Sequence, residues 1–179
     1  MSERSERRRR LAVALLIPPP ISFEVDGLRR ALGDRQLGRI DPHVTVIPPI
    51  NVREEEVADA LAVVQAAAAG REAMSLTLGP VETFGPGSPV RFLAVSPWEP
   101  VTELYRACWT GVLDRPEQRA FHPHVTVDID GGPTDGDDLA LDALRHYEVE
   151  VLVDRVTVLE HVDDPDHRRW EPYLSHRFG

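Results

Sequence analysis

An α+β fold, with mostly antiparallel sheets and outer helices, is predicted by three features of the sequence. Apolar or alternating stretches bounded by proline and glycine, which mark strands, are interleaved with amphipathic helical stretches in the coarse order β α β α β β α β α β β. Two of the strands are separated only by the turn Gly85-Pro86-Gly87-Ser88-Pro89, as in a hairpin. A six-residue phrase occurs twice, half a chain apart: Asp41-Pro42-His43-Val44-Thr45-Val46 and His122-Pro123-His124-Val125-Thr126-Val127. Each copy is rich in β-branched residues and has proline at its entrance, so each reads as a strand in a matching place of two related lobes.

Residues 1–9 are expected as a disordered basic tail and residues 10–179 as one bilobal domain with one phrase per lobe. Residues 10–17 are nearly all apolar and are expected as a central strand that the prolines at 18–20 stop. Ser22 is expected to cap a helix carrying Val25, Leu28 and Leu32 on one face and ending near Gly33. The first phrase is expected to stop sharply at Pro48-Pro49. Asn51, with Glu54 three residues on, has the pattern of a capping box for a helix that buries Val57, Leu61 and Val64 and stops at Gly70.

Residues 74–84 and 90–95 are expected to form the hairpin. Ser96 and Glu99 suggest a second capping box, with Pro97 at the first helical position, for a helix whose core face is Leu104, Cys108 and Val112. After the second phrase come an acidic turn over residues 131–138 and a short helix over 139–146. One long strand is expected over 149–160, and an edge strand over 170–178.

Composition excludes several function classes. The formal net charge is −10, so the protein's field repels long polyanions unless cations gather locally; this favours a small or end-specific phosphate substrate over extensive duplex binding. No lysine occurs, which removes lysine nucleophiles and adenylylated-lysine chemistry. Lone Cys108 excludes a disulfide framework and a cysteine-rich zinc site, and is expected as a buried small side chain. The apolar run after the N-terminal arginines is short for a signal peptide and lacks a small-residue cleavage site. No stretch is long enough to span a membrane. A cytoplasmic protein with no obligate protein partner is expected.

Alternation along a strand puts His43 and Thr45 on one face and Val44 and Val46 on the other, and treats His124 and Thr126 against Val125 and Val127 likewise. If the two strands face each other, two imidazoles and two hydroxyls line one cleft. That supplies an acid, a base and two donors for anionic oxygens, parts that suit phosphodiester chemistry without a metal or other cofactor. His122 shares the parity of His124 and either orients it or fills the strand end. A set of His43, His122 and His124, with Asp41 and Asp128 near in sequence, could instead hold a metal in a hydrolase. A third reading is a phosphate-binding module without turnover. Arg91 and Arg119 are better read as solvated than as cleft charges. Trp170 and Tyr173 read as packing residues, and His161, His167 and His176 as solvent or edge residues.

With two His-Val-Thr-Val phrases on strands, each after proline, the chain resembles the two-histidine phosphoesterase superfamily. That superfamily includes 2′,5′-RNA-ligase-like proteins and RNA 2′,3′-cyclic phosphodiesterases. The likeness extends over nearly the whole chain. It implies a bilobal, pseudo-two-fold symmetric fold with a cleft between two sheets. It implies that His43 is the acid toward the leaving oxygen, that His124 is the base for water, and that Thr45 and Thr126 hold phosphate oxygens. The implied partner is an RNA terminus or a small nucleotide phosphate. Ile129 stands where cyclic phosphodiesterases of this group often carry arginine, and Pro48-Pro49 where an aromatic residue would serve base stacking, so the substrate does not carry over with the fold.

Overall fold

The computed structural model describes residues 7–116, 120–131, 144–164 and 167–179. Its strands are β1 (Arg8–Leu16), β2 (His43–Arg53), β3 (Met74–Thr83), β4 (Arg91–Ser96), β5 (His124–Asp128), β6 (Val149–Val153), β7 (Arg155–Asp164) and β8 (His167–Arg177). Its helices are α1 (Ile21–Ala31), α2 (Val57–Ala68) and α3 (Glu99–Cys108).

All strand pairings are antiparallel, in keeping with the α+β expectation. Two sheets were expected, but hydrogen bonding joins the eight strands into one, in the order β6-β3-β4-β5-β2-β1-β7-β8. The join is narrow: β2 and β5, the two motif strands, share the single pair Val44 and Val125. The sheet is far from flat. In a flat sheet β6 and β7 would stand about 29 Å apart, six strand spacings. Asp154 alone separates them in the chain, a reach of about 7 Å. The sheet therefore bends until the two strands meet at that residue. The helices cross between halves: α1 follows β1 but packs against β5, and α3 follows β4 but packs against β2.

The valine stripes are the anchor. Val44, Val46, Val125 and Val127 are fully buried in one core with Leu11, Val13 and Leu15 of β1, Leu76 and Leu78 of β3, Val25 of α1, Val64 of α2 and Leu104 and Cys108 of α3. Burial of each such side chain contributes about 1.5–3 kcal/mol. A one-residue slip of either motif strand would turn its valines out and its histidine in, so the core holds the register that presents the imidazoles. Cys108 is buried as expected, and burial pushes its thiol up to about 12, away from reactivity.

Several expectations need correction. The tail ends earlier than residue 9: Arg8 and Arg9 belong to β1, where the Arg9 guanidinium donates to Glu160 (Nε to Oε1, 2.6 Å) and lies over the Tyr173 ring. Pro48-Pro49 do not end β2. The register passes from Ile47 opposite Val13 to Ile50 opposite Leu11, so both prolines face the single residue Ala12 in a bulge, where a missing N–H costs no ladder bond. Asn51 consequently lies within β2 and caps nothing; a 3-10 turn over Glu54–Glu56 leads into α2.

α1 begins at Ile21, ahead of Ser22, because Ser22 N–H already donates to the Pro18 carbonyl (3.1 Å). α3 likewise starts without a side-chain cap from Ser96, and the Trp98 carbonyl takes both the Thr102 N–H and its hydroxyl. The long strand over 149–160 is two strands, broken where Asp154 turns toward Arg155 and Arg177. The hairpin β3–β4 and the edge strand β8 form as expected. Most of the acidic turn and the short helix before β6 lies outside the described residues.

Candidate functional site

Each motif strand opens on its histidine, and the two histidines are held in the same way. Nδ1 of His43 lies 2.7 Å from the carbonyl oxygen of Asp41, and Nδ1 of His124 lies 2.7 Å from that of His122. A carbonyl only accepts, so each Nδ1 carries the hydrogen and each Nε2 is left to take or give a proton. The residue between is proline in both phrases; it restricts the residue before it to extended backbone and so limits where that residue's carbonyl points.

The pair Val44 and Val125 sets the rest. Antiparallel register continued by one residue on each side puts His43 opposite Thr126 and Thr45 opposite His124. Each imidazole thus faces the other strand's hydroxyl, and the two imidazoles lie on the diagonal, about 7–8 Å apart at Cα. All four are half-buried. Small residues flank them on the neighbouring strands: Ala14, buried beneath Ile40 and Leu16, pairs with Thr45, and half-buried Ala94 pairs with His124.

The surroundings of the two histidines differ. His124 sits in an aromatic corner, its ring centroid 5.0 Å from Phe84 and 5.1 Å from Phe92. His122 is exposed at the edge of that corner, its ring 6.2 Å from His124; its carbonyl, and not its imidazole, orients His124. His43 sits near the buried guanidinium of Arg29. Arg29 donates to Asp34 (2.8 Å), Asp26 (2.9 Å) and the carbonyl of Ile40 (2.9 Å), and so ties α1 to the loop that ends at Asp41.

Burial pushes the His43 imidazole below the ordinary histidine value; the Asp41 carbonyl opposes this, and the positive charges of Arg29 and His124 add to the lowering. Burial lowers His124 too, again opposed by its carbonyl partner.

Sequence reasoning missed Arg29, Phe84 and Phe92. Arg29 had a faint signal, with Asp26 one turn before and Asp34 just past the helix, but nothing set it apart from Arg30. The aromatic residues lie on the hairpin next to β5, a neighbour that only topology supplies. Arg91 is not solvated: it is half-buried beside Asp128 (3.6 Å), whose oxygens also accept the N–H groups of Asp130 and Gly131. Asp128 therefore serves the turn after β5. Arg119 lies outside the described residues. The metal set of His43, His122 and His124 does not form; among the described residues no three His, Cys, Asp or Glu side chains converge as ligands. A cavity of about 330 Å³ adjoins the first motif, lined by Leu16, Pro19, Phe23, Asp41, Pro42 and Arg155 among others, but the four motif side chains do not line it.

The chain is similar to known proteins over most of its length. A protein of Halalkalibacterium halodurans, named as a candidate phosphoesterase, is 28% identical over 141 residues, 78% of this chain and 81% of its own. A similarly named Bacillus licheniformis protein is 25% identical over 161 residues, covering 89% and 95%. Among solved structures, that of E. coli LigT complexed with NADP+ superposes with a TM-score of 0.70 at 17% identity, covering 96% of this chain and 99% of that one. The model of the 2′-5′ RNA ligase superfamily matches residues 17–165, and the chain belongs to that superfamily of phosphoesterases.

Proposed function

We propose that this protein is a metal-independent phosphodiesterase that hydrolyses a 2′,3′-cyclic phosphate or a 2′,5′ linkage at an RNA end or on a small nucleotide. The observation that carries the reading is the interleaved quartet of His43, Thr126, Thr45 and His124 at the join of β2 and β5. The bend of the sheet at Asp154 supports a bilobal, pseudo-two-fold arrangement about that join. Other structures of LigT hold 3′-AMP or ATP, which supports a nucleotide phosphate as the ligand class.

In the proposed reaction on a cyclic phosphate, water attacks phosphorus as its proton passes to Nε2 of His124. The bond from phosphorus to one ribose oxygen breaks, and that oxygen takes the proton from Nε2 of His43. Two diagonal imidazoles can reach opposite sides of one phosphorus, as in-line displacement requires. Thr45 and Thr126, between them, donate to the non-bridging oxygens. His122, exposed beside His124, is assigned to the substrate at the rim.

The test is hydrolysis of cyclic mononucleotides, 2′,5′-linked oligomers and RNA ending in a cyclic phosphate, with chelator present. Turnover of at least one is expected; folded protein inert toward all of them contradicts the reading, and binding without hydrolysis identifies a binding module instead.

The pH profile adds a sharper check. The acid must start protonated, so the rate falls as pH rises through its value; the base must start neutral, so the rate falls as pH drops through its value. Both imidazoles are lowered in the free protein, so the bell in kcat/KM is displaced to the acid side of the ordinary histidine value of about 6.5. Bound phosphate favours imidazolium, so the alkaline limb of kcat lies above that of kcat/KM. A kcat/KM optimum above neutrality would contradict the assignment.

A further inference from the structure

Resting on the phosphodiesterase reading, we propose that the face carrying His43 and Thr45 also holds a second, nucleotide-binding subsite made by Arg10, Trp170 and His161, with Arg8 and Arg53 behind it. The subsite takes a base and phosphate of the chain leading away from the scissile phosphate, so the preferred substrate is an oligonucleotide and not a mononucleotide.

Strand register places these residues on one face. Ala14 pairs with Thr45 of β2 and with Thr157 of β7. Four residues along β1 from Ala14, Arg10 pairs with Asn51, and Arg8 pairs with Arg53. β1 and β7 run without a bulge from Ala14 to Leu11, so Arg10 lies next in register to His161, which pairs with Trp170. Contacts agree: the Arg10 guanidinium lies 5.9 Å from the Trp170 ring centroid, and the His161 ring meets Trp170 edge-on at 5.1 Å. Arg9, of opposite parity, turns to the other face and is matched by Glu160. The carboxylate next on this face, Asp163, is already paired with Arg168 at 3.0 Å.

The distance suits a nucleotide chain. Trp170 N–H donates to the Arg39 carbonyl at 2.7 Å, and Arg39 is four residues before His43. Four residues span at most about 14 Å, so the tryptophan backbone lies within about 17 Å of the histidine Cα. That is a reach of two to three nucleotides. Arg8, Arg10, Asn51 and Arg53 are exposed, and they supply three cations on a protein with a net charge of −10. Phosphates pair with the arginines, and a base stacks on the half-exposed indole beside a guanidinium.

The experiment compares a 2′,3′-cyclic mononucleotide with a trinucleotide ending in the same group, in wild type, Arg10→Gln, Trp170→Ala, Trp170→Phe and Arg30→Gln, an exposed arginine on α1. Wild type is expected to favour the trinucleotide by about tenfold or more in kcat/KM. Arg10→Gln and Trp170→Ala should cut that ratio about fivefold or more, Trp170→Phe should keep most of it, and Arg30→Gln should keep all of it. The salt dependence of trinucleotide binding should weaken by about one unit of slope in Arg10→Gln.

A second readout does not need turnover. A trinucleotide 3′-phosphate should quench tryptophan fluorescence in wild type more than 3′-AMP does, and the excess should vanish in Trp170→Phe. Equal wild-type kcat/KM for the two substrates, a ratio unmoved by Arg10→Gln and Trp170→Ala, or an excess of quenching that survives Trp170→Phe overturns the subsite. No hydrolysis of either substrate, with the excess quenching intact, would instead sink the phosphodiesterase reading and leave the subsite standing.

Discussion

Replacing His43 or His124 with alanine is expected to lower kcat by about 10² to 10⁴, equivalent to about 3 to 5 kcal/mol of transition-state stabilisation. Both side chains are half-buried, with one nitrogen committed to a backbone carbonyl and the other left for the proton. Neither loss should weaken nucleotide binding much, since the threonines remain. The double variant should lose far less than the product of the single losses, because an acid without its base, or a base without its acid, already leaves the reaction half-assisted. Steady-state kinetics on one substrate in four proteins decides this. A near-intact rate in either single variant would remove the two-histidine mechanism.

Which histidine is the acid is decided by the leaving group. With a nitrophenyl ester the leaving oxygen needs no proton, so His43→Ala should be substantially rescued and His124→Ala should not. Rescue of His124→Ala alone would exchange the two roles. The two imidazoles share a tautomer, a backbone carbonyl as partner and the direction of their shift. Their environments differ: the permanent cation Arg29 is on the side of His43, and the rings of Phe84 and Phe92 are on the side of His124.

The motif strands were legible because their chemistry is local: proline at the entrance, then histidine and threonine alternating with valine, carries both the face and the tautomer. Hairpin β3–β4 and the buried Cys108 were legible for the same reason. What was not legible depended on partners far away in sequence. Pro48-Pro49 read as a stop because a proline pair usually is one; only the single residue Ala12 opposite makes it a bulge. Residues 149–160 read as one strand because both pieces alternate, and only the bend of the sheet makes Asp154 a boundary. Asn51-x-x-Glu54 matched a cap in spelling, but pairing with Arg10 claimed its backbone first. The single sheet escaped notice since its join is one pair of valines. The tail boundary moved because Arg9 finds Glu160, which is most of a chain away.

Arg29→Met is expected to destabilise the protein by about 3 to 5 kcal/mol and to slow the reaction of the molecules that remain folded. The Arg29 side chain is 3% exposed and that of Asp34 1%, and the two meet at 2.8 Å. Removing a buried guanidinium leaves the Asp34 carboxylate uncompensated, which costs far more than the pair itself contributes. Urea unfolding measures the loss. Arg29→Met with Asp34→Leu should recover part of it, because no buried charge is then stranded; a double variant as unstable as the sum of the two singles would refute that account.

The effect on rate comes through the loop. Arg29 also holds the Ile40 carbonyl, and the next residue, Asp41, orients His43. Freed of Arg29, that carbonyl pair should wander and kcat should fall with little change in KM. The guanidinium charge also disfavours imidazolium at His43, so its removal should raise the His43 value and move the alkaline limb of kcat/KM upward in pH. An NMR titration of His43 follows the same shift without turnover. A purely structural role would lower stability and leave both limbs where they were.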